Sequence, residues 1–558
     1  MNHVFSMIPK SSIKRSFFDR SSNHKTTLNS GVLVPVFCDE VLPSDTFKFD
    51  MSAFARLTTQ VVPTMSNVYM DFQFFFVPYR LVWEHWNNFM GEQDNPSDST
   101  DFLVPQITKE LTTSLNGTIW DYFGLPTSGG SQKFSALPFR AYNLIWNDWY
   151  RDENLQASVE IPLGDTDDGT AYKLLPRGKR HDYFTSCLPW AQKNTDGWLP
   201  TLGIGGSAPV VGNGNPVNFY GVTEVDSNDY VKSLGNFNLV GYQSSSASTA
   251  SNKIPVSVQN TTKSVMPSIG DRGVDVGNLS VSDSLNFGIG LASSDSNVFA
   301  DLSKAGGITI NDLRTAFQMQ RLKERDARGG TRYTEILRAH FGVVSPDSRL
   351  QRPEYLGGGE IPLIVSSVPQ TSSSDATTPQ GNLAAYSVFS GRNTCRWTKS
   401  FVEHGVVIGL CSVRADLEYQ QGLNRMWSRR TRYDFYWPAL ANLGEQAVLN
   451  KEIYADSTDG KDDEVFGYQE RWSEYRYKPS MITGKLRSND PQSLDVWHLA
   501  QNFIERPTLS SDFIKDAPPI KRVLAVQDEP EFVCDFHFIC KCARPMPVYS
   551  VPGLIDHH

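Results

Sequence analysis

The stretch VYMDFQFFFVP, Val68–Pro78, decides the fold class. Val68, Met70, Phe72, Phe74 and Phe76 fall on one side of a two-residue repeat, and Tyr69, Asp71, Gln73 and Phe75 on the other. A period of two in aromatic and branched residues marks a β-strand, because successive side chains point to opposite faces. Tyr69 and Phe75 make the second face apolar as well, so both faces are expected to be covered. Pro78 has no amide hydrogen to give to a ladder and ends the strand.

The same period appears on either side. Phe47, Phe49 and Met51 alternate with Lys48 and Asp50. Val406, Ile408 and Leu410 alternate with Val407, Gly409 and Cys411 in a run apolar on both faces, which predicts a strand buried from both sides. Near the end, Phe532, Cys534, Phe536, Phe538, Cys540 and Cys542 share one face, with Val533, Asp535, His537, Ile539 and Lys541 opposite. Between the strands, LVWEHWNNFM and FRAYNLIWNDWY have helical spacing, with Val82, Trp86, Phe89 and Met90 on one face of the first and Phe139, Tyr142, Trp146 and Trp149 on one face of the second. A third helix is predicted in INDLRTAFQMQRLKERDARGG, with Asn311 as its cap and Phe317 on its apolar side.

Four regions follow. Residues 1–30 form an extended basic arm, with Lys10, Lys14, Arg15, Arg20 and Lys25 against one acid, Asp19. Residues 31–204 hold the first strands and the helical insertions. Residues 205–300 are rich in Gly, Ser, Asn and Thr with short Val/Ile runs, and are expected to be a surface insertion of small strands and loops. Residues 301–558 return to strands and end in an extended, proline-rich tail.

Composition fits a loop-rich β protein with large contact surfaces. Of 558 residues, 32 are Phe, 21 Tyr and 12 Trp, while only 20% are charged. A formal charge of −9 excludes a nucleic-acid binder over its whole surface, so any basic face must be local. Seven cysteines, an odd number without an apolar leader, point to free thiols in a reducing cytoplasm. No run approaches the ~18 apolar residues of a membrane helix.

No catalytic constellation emerges. There is no HExxH zinc helix, no GxxxxGK[ST] phosphate loop and no GxSxG elbow. The acidic loops Gly164–Gly169 and Ala455–Glu464 lack calcium-loop spacing, and Cys540 and Cys542 read as core residues rather than a metal pair. No cofactor or metal is expected. Two basic-aromatic clusters stand out: RMWSRRTRYDFYW, with Arg425, Arg429, Arg430 and Arg432 beside Trp427, Tyr433 and Trp437, and RWSEYRYK, Arg471–Lys478. Guanidinium groups with aromatic faces suit single-stranded nucleic acid. The same residue types are enriched at protein–protein interfaces.

Long stretches across nearly the whole chain resemble the major capsid proteins of the microviruses, in the gokushovirus branch. They include HKTTLNSGVLVPVFCDEVLPSDTF (His24–Phe47), FFFVPYRLVWEHWNNFMGE (Phe74–Glu92), GLNRMWSRRTRYDFYWP (Gly422–Pro438), ERWSEYRYKPSMITGKLRS (Glu470–Ser488) and RPMPVYSVPGLID (Arg544–Asp556). The resemblance implies a mainly β protein built as a viral jelly roll, an eight-stranded antiparallel double sheet with long loop and helix insertions. It implies a T=1 icosahedral shell of on the order of sixty copies, with pentamers as intermediates, around circular single-stranded DNA. It also makes 205–300 a protrusion at the threefold axis, a candidate contact for a host-cell receptor. Trp83, Trp86, Trp146, Trp149, Trp427, Trp437 and Trp472 are the aromatics expected at subunit contacts. Lys10, Lys14, Arg15, Arg20, Arg425, Arg429, Arg430 and Arg432 are those expected to face DNA. At −9 per copy the shell repels the genome, so a small basic packaging protein is expected inside, and a scaffolding protein is a further candidate partner. A glycan-binding jelly-roll lectin or spike is the competing class, and a β-rich hydrolase a third.

Overall fold

The computed structural model describes residues 14–191, 351–372, 380–458 and 460–549, with separate strands and helical residues between 210 and 341. The chain divides into two compact units, Met1–Lys193 with Lys323–His558, and Asn194–Leu322.

Ten strands build the first unit's centre: β1 Ser16–Asp19, β2 Ser22–Leu28, β3 Val34–Val41, β4 Thr46–Leu57, β5 Val68–Pro78, β6 Glu354–Pro362, β7 Ile364–Pro369, β8 Leu383–Ser400, β9 Gly405–Ala415 and β10 Phe532–Arg544. One antiparallel sheet runs β2–β10–β4–β8–β7, with β1 also on β10; the other runs β6–β5–β9–β3. Counting β2, β3, β4, β5, β6, β8, β9 and β10 as first to eighth, the sheets read 1-8-3-6 and 2-7-4-5. That wiring is the expected double-sheet jelly roll.

The alternation in β5 sorts its side chains between two cores. Met70, Phe72, Phe74 and Phe76 enter the core between the sheets, while Phe75 and Val77 enter a second core on the outer face. β9 pairs with β5 without a register shift, from Gly405 opposite Pro78 to Ala415 opposite Val68. It splits the same way, with Val407, Cys411 and Val413 inward and Val406, Ile408 and Leu410 outward. Gly409 faces Phe74, whose ring lies 2.4 Å from where a Cβ would sit, so only glycine lets that ring lie flat on the strand. At the centre Phe49 stacks on Trp397 at 5.0 Å and tilts against Phe74 at 4.7 Å. Each such pair adds about 0.5–1.5 kcal/mol beyond area burial.

The second core is capped by the helix α1, Leu137–Ile145, which widens into a π-turn at Trp146–Tyr150. Phe139, Tyr142 and Trp146 are buried as the spacing predicts. Tyr142 donates its hydroxyl to the Leu33 carbonyl at 2.8 Å and accepts from the Leu175 amide at 2.9 Å. Arg140 and Asp167 form a salt bridge at 3.0 Å with side chains 0% and 1% exposed. The Arg140 fork also donates to the Val82 and Thr166 carbonyls, and Tyr172 donates to Asp167 at 2.6 Å. LVWEHWNNFM is not one helix. It is a 3-10 turn at Tyr79–Leu81 and one α-turn at Trp86–Phe89, because the Glu84 amide between them donates to Leu163 outside the segment.

Of the basic arm expected over residues 1–30, the described part is largely extended and lies along β10 of its own subunit. Residues 16–19 and 22–28 pair with the edge of β10 that β4 leaves free. The second unit contains all of 205–300 and is wider at both ends. Its sheet runs Lys263–Val265, Val256–Asn260, Val231–Leu239, Asn218–Val225. The third helix forms over Ile310–Arg328, with Phe317 exposed rather than covered.

Beside the second core runs a polar seam. The Arg177 amide donates to Gly31, and the Asp516 amide donates to the Arg177 carbonyl, both at 2.8 Å. A Cβ on Gly31 would lie 2.1 Å from the Asp516 carbonyl oxygen, and its φ of +77° also calls for glycine. Burial pushes the Asp516 carboxyl up to about 7, against the opposing pull of Arg414, Lys179, Arg177 and Arg180.

Two expectations follow. Asp167→Asn leaves Arg140 as a buried unpaired charge and should cost about 3–5 kcal/mol, read as a large drop in melting temperature; an unchanged melting curve would remove the pair from the fold's supports. Asp516 holds its proton more tightly folded than unfolded. Its contribution to stability is therefore complete below its ordinary value of 3.8 and declines as pH rises toward 7. Asp516→Asn should flatten that decline in melting temperatures taken from about pH 5 to about pH 8. Parallel curves for the two proteins would contradict it.

Candidate assembly surface

The two basic-aromatic clusters, far apart in sequence, meet on one face. After β9 the chain makes 3-10 turns at Arg425–Ser428, Arg432–Asp434 and Pro438–Leu440. Asn424 caps the first, accepting from the Met426 amide at 3.0 Å. The Asp434 carboxylate accepts from the Thr431 amide at 2.7 Å and the Arg430 amide at 2.9 Å, and these bonds hold its pKa below the usual carboxylate range. A hairpin of Glu445–Leu449 and Val465–Glu470 carries the chain to Trp472. Trp472 has a φ of +68°, a left-handed conformation that costs a non-glycine residue about 1–3 kcal/mol. Its ring nitrogen donates to the Leu440 carbonyl at 2.9 Å and its amide to Gln446 at 3.2 Å, which fix it there and join the two clusters.

Arg425 and Arg429 of this face are matched from within. Arg425 donates to Glu452 at 2.9 Å and to the Ala447 carbonyl at 2.7 Å. Arg429 donates to Glu474 at 3.3 Å and lies 4.3 Å over the Tyr475 ring. Glu474 also accepts from Gln446 at 2.7 Å. Burial pushes the Glu452 carboxyl upward, and Arg425 opposes it. Arg432 lies 4.7 Å over Trp437 and Arg471 4.6 Å over Trp472. Bare rings and cations share the outward side: Trp427 is 71% and Tyr433 67% exposed, with Met426, Phe435, Tyr475 and Tyr477 also bare, among exposed Arg430, Arg432, Arg476 and Lys478.

The sequence-predicted residues fall into distinct groups. Lys10 lies outside the described residues. Lys14 is exposed, Arg15 reaches the Thr46 hydroxyl and the Ala543 carbonyl, and Arg20 donates to Asp39 at 2.5 Å. Arg425 and Arg429 are taken by Glu452 and Glu474, which leaves Arg430 and Arg432 as the exposed pair of the cluster. Of the tryptophans, Trp83, Trp146 and Trp472 are covered by their own chain. They are buried in the subunit, their ring nitrogens donating to Asp165, the Pro176 carbonyl and the Leu440 carbonyl. Trp86 packs on Tyr79 and Phe89, and Trp149 donates to the Pro353 carbonyl at 3.0 Å with its ring partly exposed. Trp427 and Trp437 remain on the open face.

Sequence reading missed Glu452 and Glu474 as the partners of Arg425 and Arg429. Glu474 was visible inside RWSEYRYK, whereas nothing local pointed to Glu452. All seven cysteines are unpaired thiols, with Cys540 and Cys542 packed in the core. Among the described residues no group of side chains is arranged to hold a metal ion, and no helix is long and apolar enough to cross a membrane.

Comparison with known proteins agrees with this picture of a structural subunit. A family model described as capsid protein (F protein) matches residues 6–554. The capsid protein VP1 of Bdellovibrio phage phiMH2K is 47% identical over 560 residues, covering 99% of this chain and 97% of the relative. That of Chlamydia phage 1 is 45% identical over 598 residues, covering 99% and 98%, and that of Spiroplasma virus 4 is 38% identical over 574 residues, covering 99% and 97%. The chain belongs to the capsid protein (F protein) family of the microviruses, as a structural subunit of a viral shell and not an enzyme.

Proposed function

We propose that this chain closes into a T=1 icosahedral shell of on the order of sixty copies, through pentamers, around a circular single-stranded DNA genome. The bare aromatic face around Trp427 and Tyr433 carries this reading. A soluble monomer rarely leaves more than a few hundred Å² of contiguous apolar surface in water, whereas obligate interfaces bury roughly 2,000–5,000 Å².

Inside the shell, Lys14 and Arg15, with Lys10 ahead of them, face the DNA. Arg20, Arg425 and Arg429 add little net field, because Asp39, Glu452 and Glu474 offset them. With −9 on each copy, a small basic packaging protein supplies the remaining positive charge, and a scaffolding protein guides closure in the host cytoplasm. The 205–300 segment forms the threefold protrusion and meets the host-cell receptor.

Size-exclusion chromatography with light scattering on nuclease-treated protein, co-expressed with its viral neighbours, tests the shell. Pentamers and closed particles are expected; a stable monomer or simple trimer would favour a glycan-binding spike. For the interior, the double variant Lys14→Glu, Arg15→Glu should still form shells and should lower the salt slope of single-stranded DNA binding by about 1 per residue. An unchanged slope would remove this segment from the DNA-facing surface.

A further inference from the structure

We infer that the face built by Arg425–Trp437 and Arg471–Lys478 docks on the acidic loop Glu92–Asp101 of a second copy of this chain. The inference rests on the shell reading above and names one of its contacts.

The face selects a protein over a nucleic acid. Single-stranded DNA draws on cations that reach phosphate, and Arg425 and Arg429 already answer Glu452 and Glu474 within the subunit, which leaves Arg430, Arg432 and Lys478 exposed beside the Arg476–Glu470 pair. Its outermost members include Met426 beside Trp427 and Tyr433, and a thioether offers a base no stacking surface. Met, Tyr, Trp and Arg together are the composition of a protein interface core. Arg430 and Arg432 remain exposed, so the partner must present carboxylates next to apolar surface.

The same chain carries that complement. From Leu81 to Thr108 there is no Lys or Arg, while Glu92, Asp94, Asp98 and Asp101 lie within ten residues of one another. Glu92, Asp94 and Asp101 are exposed, and Met90 and Leu103 flank them, Leu103 being 81% exposed. The loop is already shaped. Asp98 accepts from the Asp94 amide at 3.1 Å and the Asn95 amide at 2.8 Å, Gln93 donates to the Asp98 carbonyl at 2.7 Å, and His85 stacks on Phe102 at 4.3 Å. A rigid loop loses little entropy on docking. Face and loop are different parts of one subunit, so the contact is either reciprocal across a twofold axis or heterologous, the kind that forms rings where its rotation closes.

Charge exchange tests this in the full chain co-expressed with its viral neighbours. Arg430→Glu with Arg432→Glu, and separately Asp94→Lys with Asp101→Lys, should each abolish particles by light scattering and electron microscopy while keeping the wild-type melting curve. The four substitutions combined should restore particles. Normal assembly of either one-sided variant would overturn the inference, as would a combination no better than its parents. Particles that form normally but lose DNA when the arginines are reversed would assign the face to nucleic acid and equally overturn it. If a reversal unfolds the subunit, Ser97→Cys with Tyr433→Cys replaces it: oxidation of assembled particles should give inter-subunit disulfide ladders on a non-reducing gel, and monomers alone would count against the contact. Failure of the wild type to assemble would instead strike the shell reading.

Discussion

A strand with no wet face governs this fold. β9 is apolar on both sides, so the chain must lay one core beneath it and another above. The opposite sheet supplies the first through Phe49, Trp397 and Phe536, and α1 with its neighbours supplies the second. The long excursions between strands are therefore half of the burial that keeps the central sheet dry. The tight approach of Phe74 to Gly409, and of the Asp516 carbonyl to Gly31, shows how little slack the two layers leave.

Several ion pairs lie under cover while a set of aromatic side chains stays exposed. Arg140–Asp167, Arg414–Asp71 and Arg425–Glu452 are ion pairs between partly or wholly covered groups: the first ties α1 to a loop, the second crosses from β9 to β5, and the third joins two short helical turns. Removing one partner of such a pair costs more than the pair itself contributes. On the assembly face Arg429 and Arg432 lie against the exposed rings of Tyr475 and Trp437.

Much of this was legible in the residues. The period of two in Val68–Phe76, Val406–Cys411 and Phe532–Cys542 located three central strands and which faces they bury, down to Cys540 and Cys542 as core thiols. The order of strands across the sheets was not legible from periodicity, since pairing is non-local; family resemblance supplied it. LVWEHWNNFM misled because its helical spacing is broken by one hydrogen bond to Leu163, a residue that no local pattern connects to it. The basic cluster misled in part for the same reason. A count of arginines along the chain cannot reveal that Glu452 folds back onto Arg425. Trp83 and Trp472 resembled contact residues because a large aromatic ring signals burial without saying by whom.

The pairing of β10 with both β2 and β4 joins residues 22–28 and 46–57 to residues 532–544. Translation runs in one direction, so β2 and β4 wait through almost the entire synthesis with an open edge between them. Until residue 544 has been made, the sheet has a slot between β2 and β4 where β10 belongs. A prematurely ended chain cannot fill it, and the Phe47 and Phe49 side of β4 stays uncovered there. The strand order thus acts as a completeness check, because only a subunit translated through β10 has a closed sheet to offer to a growing shell.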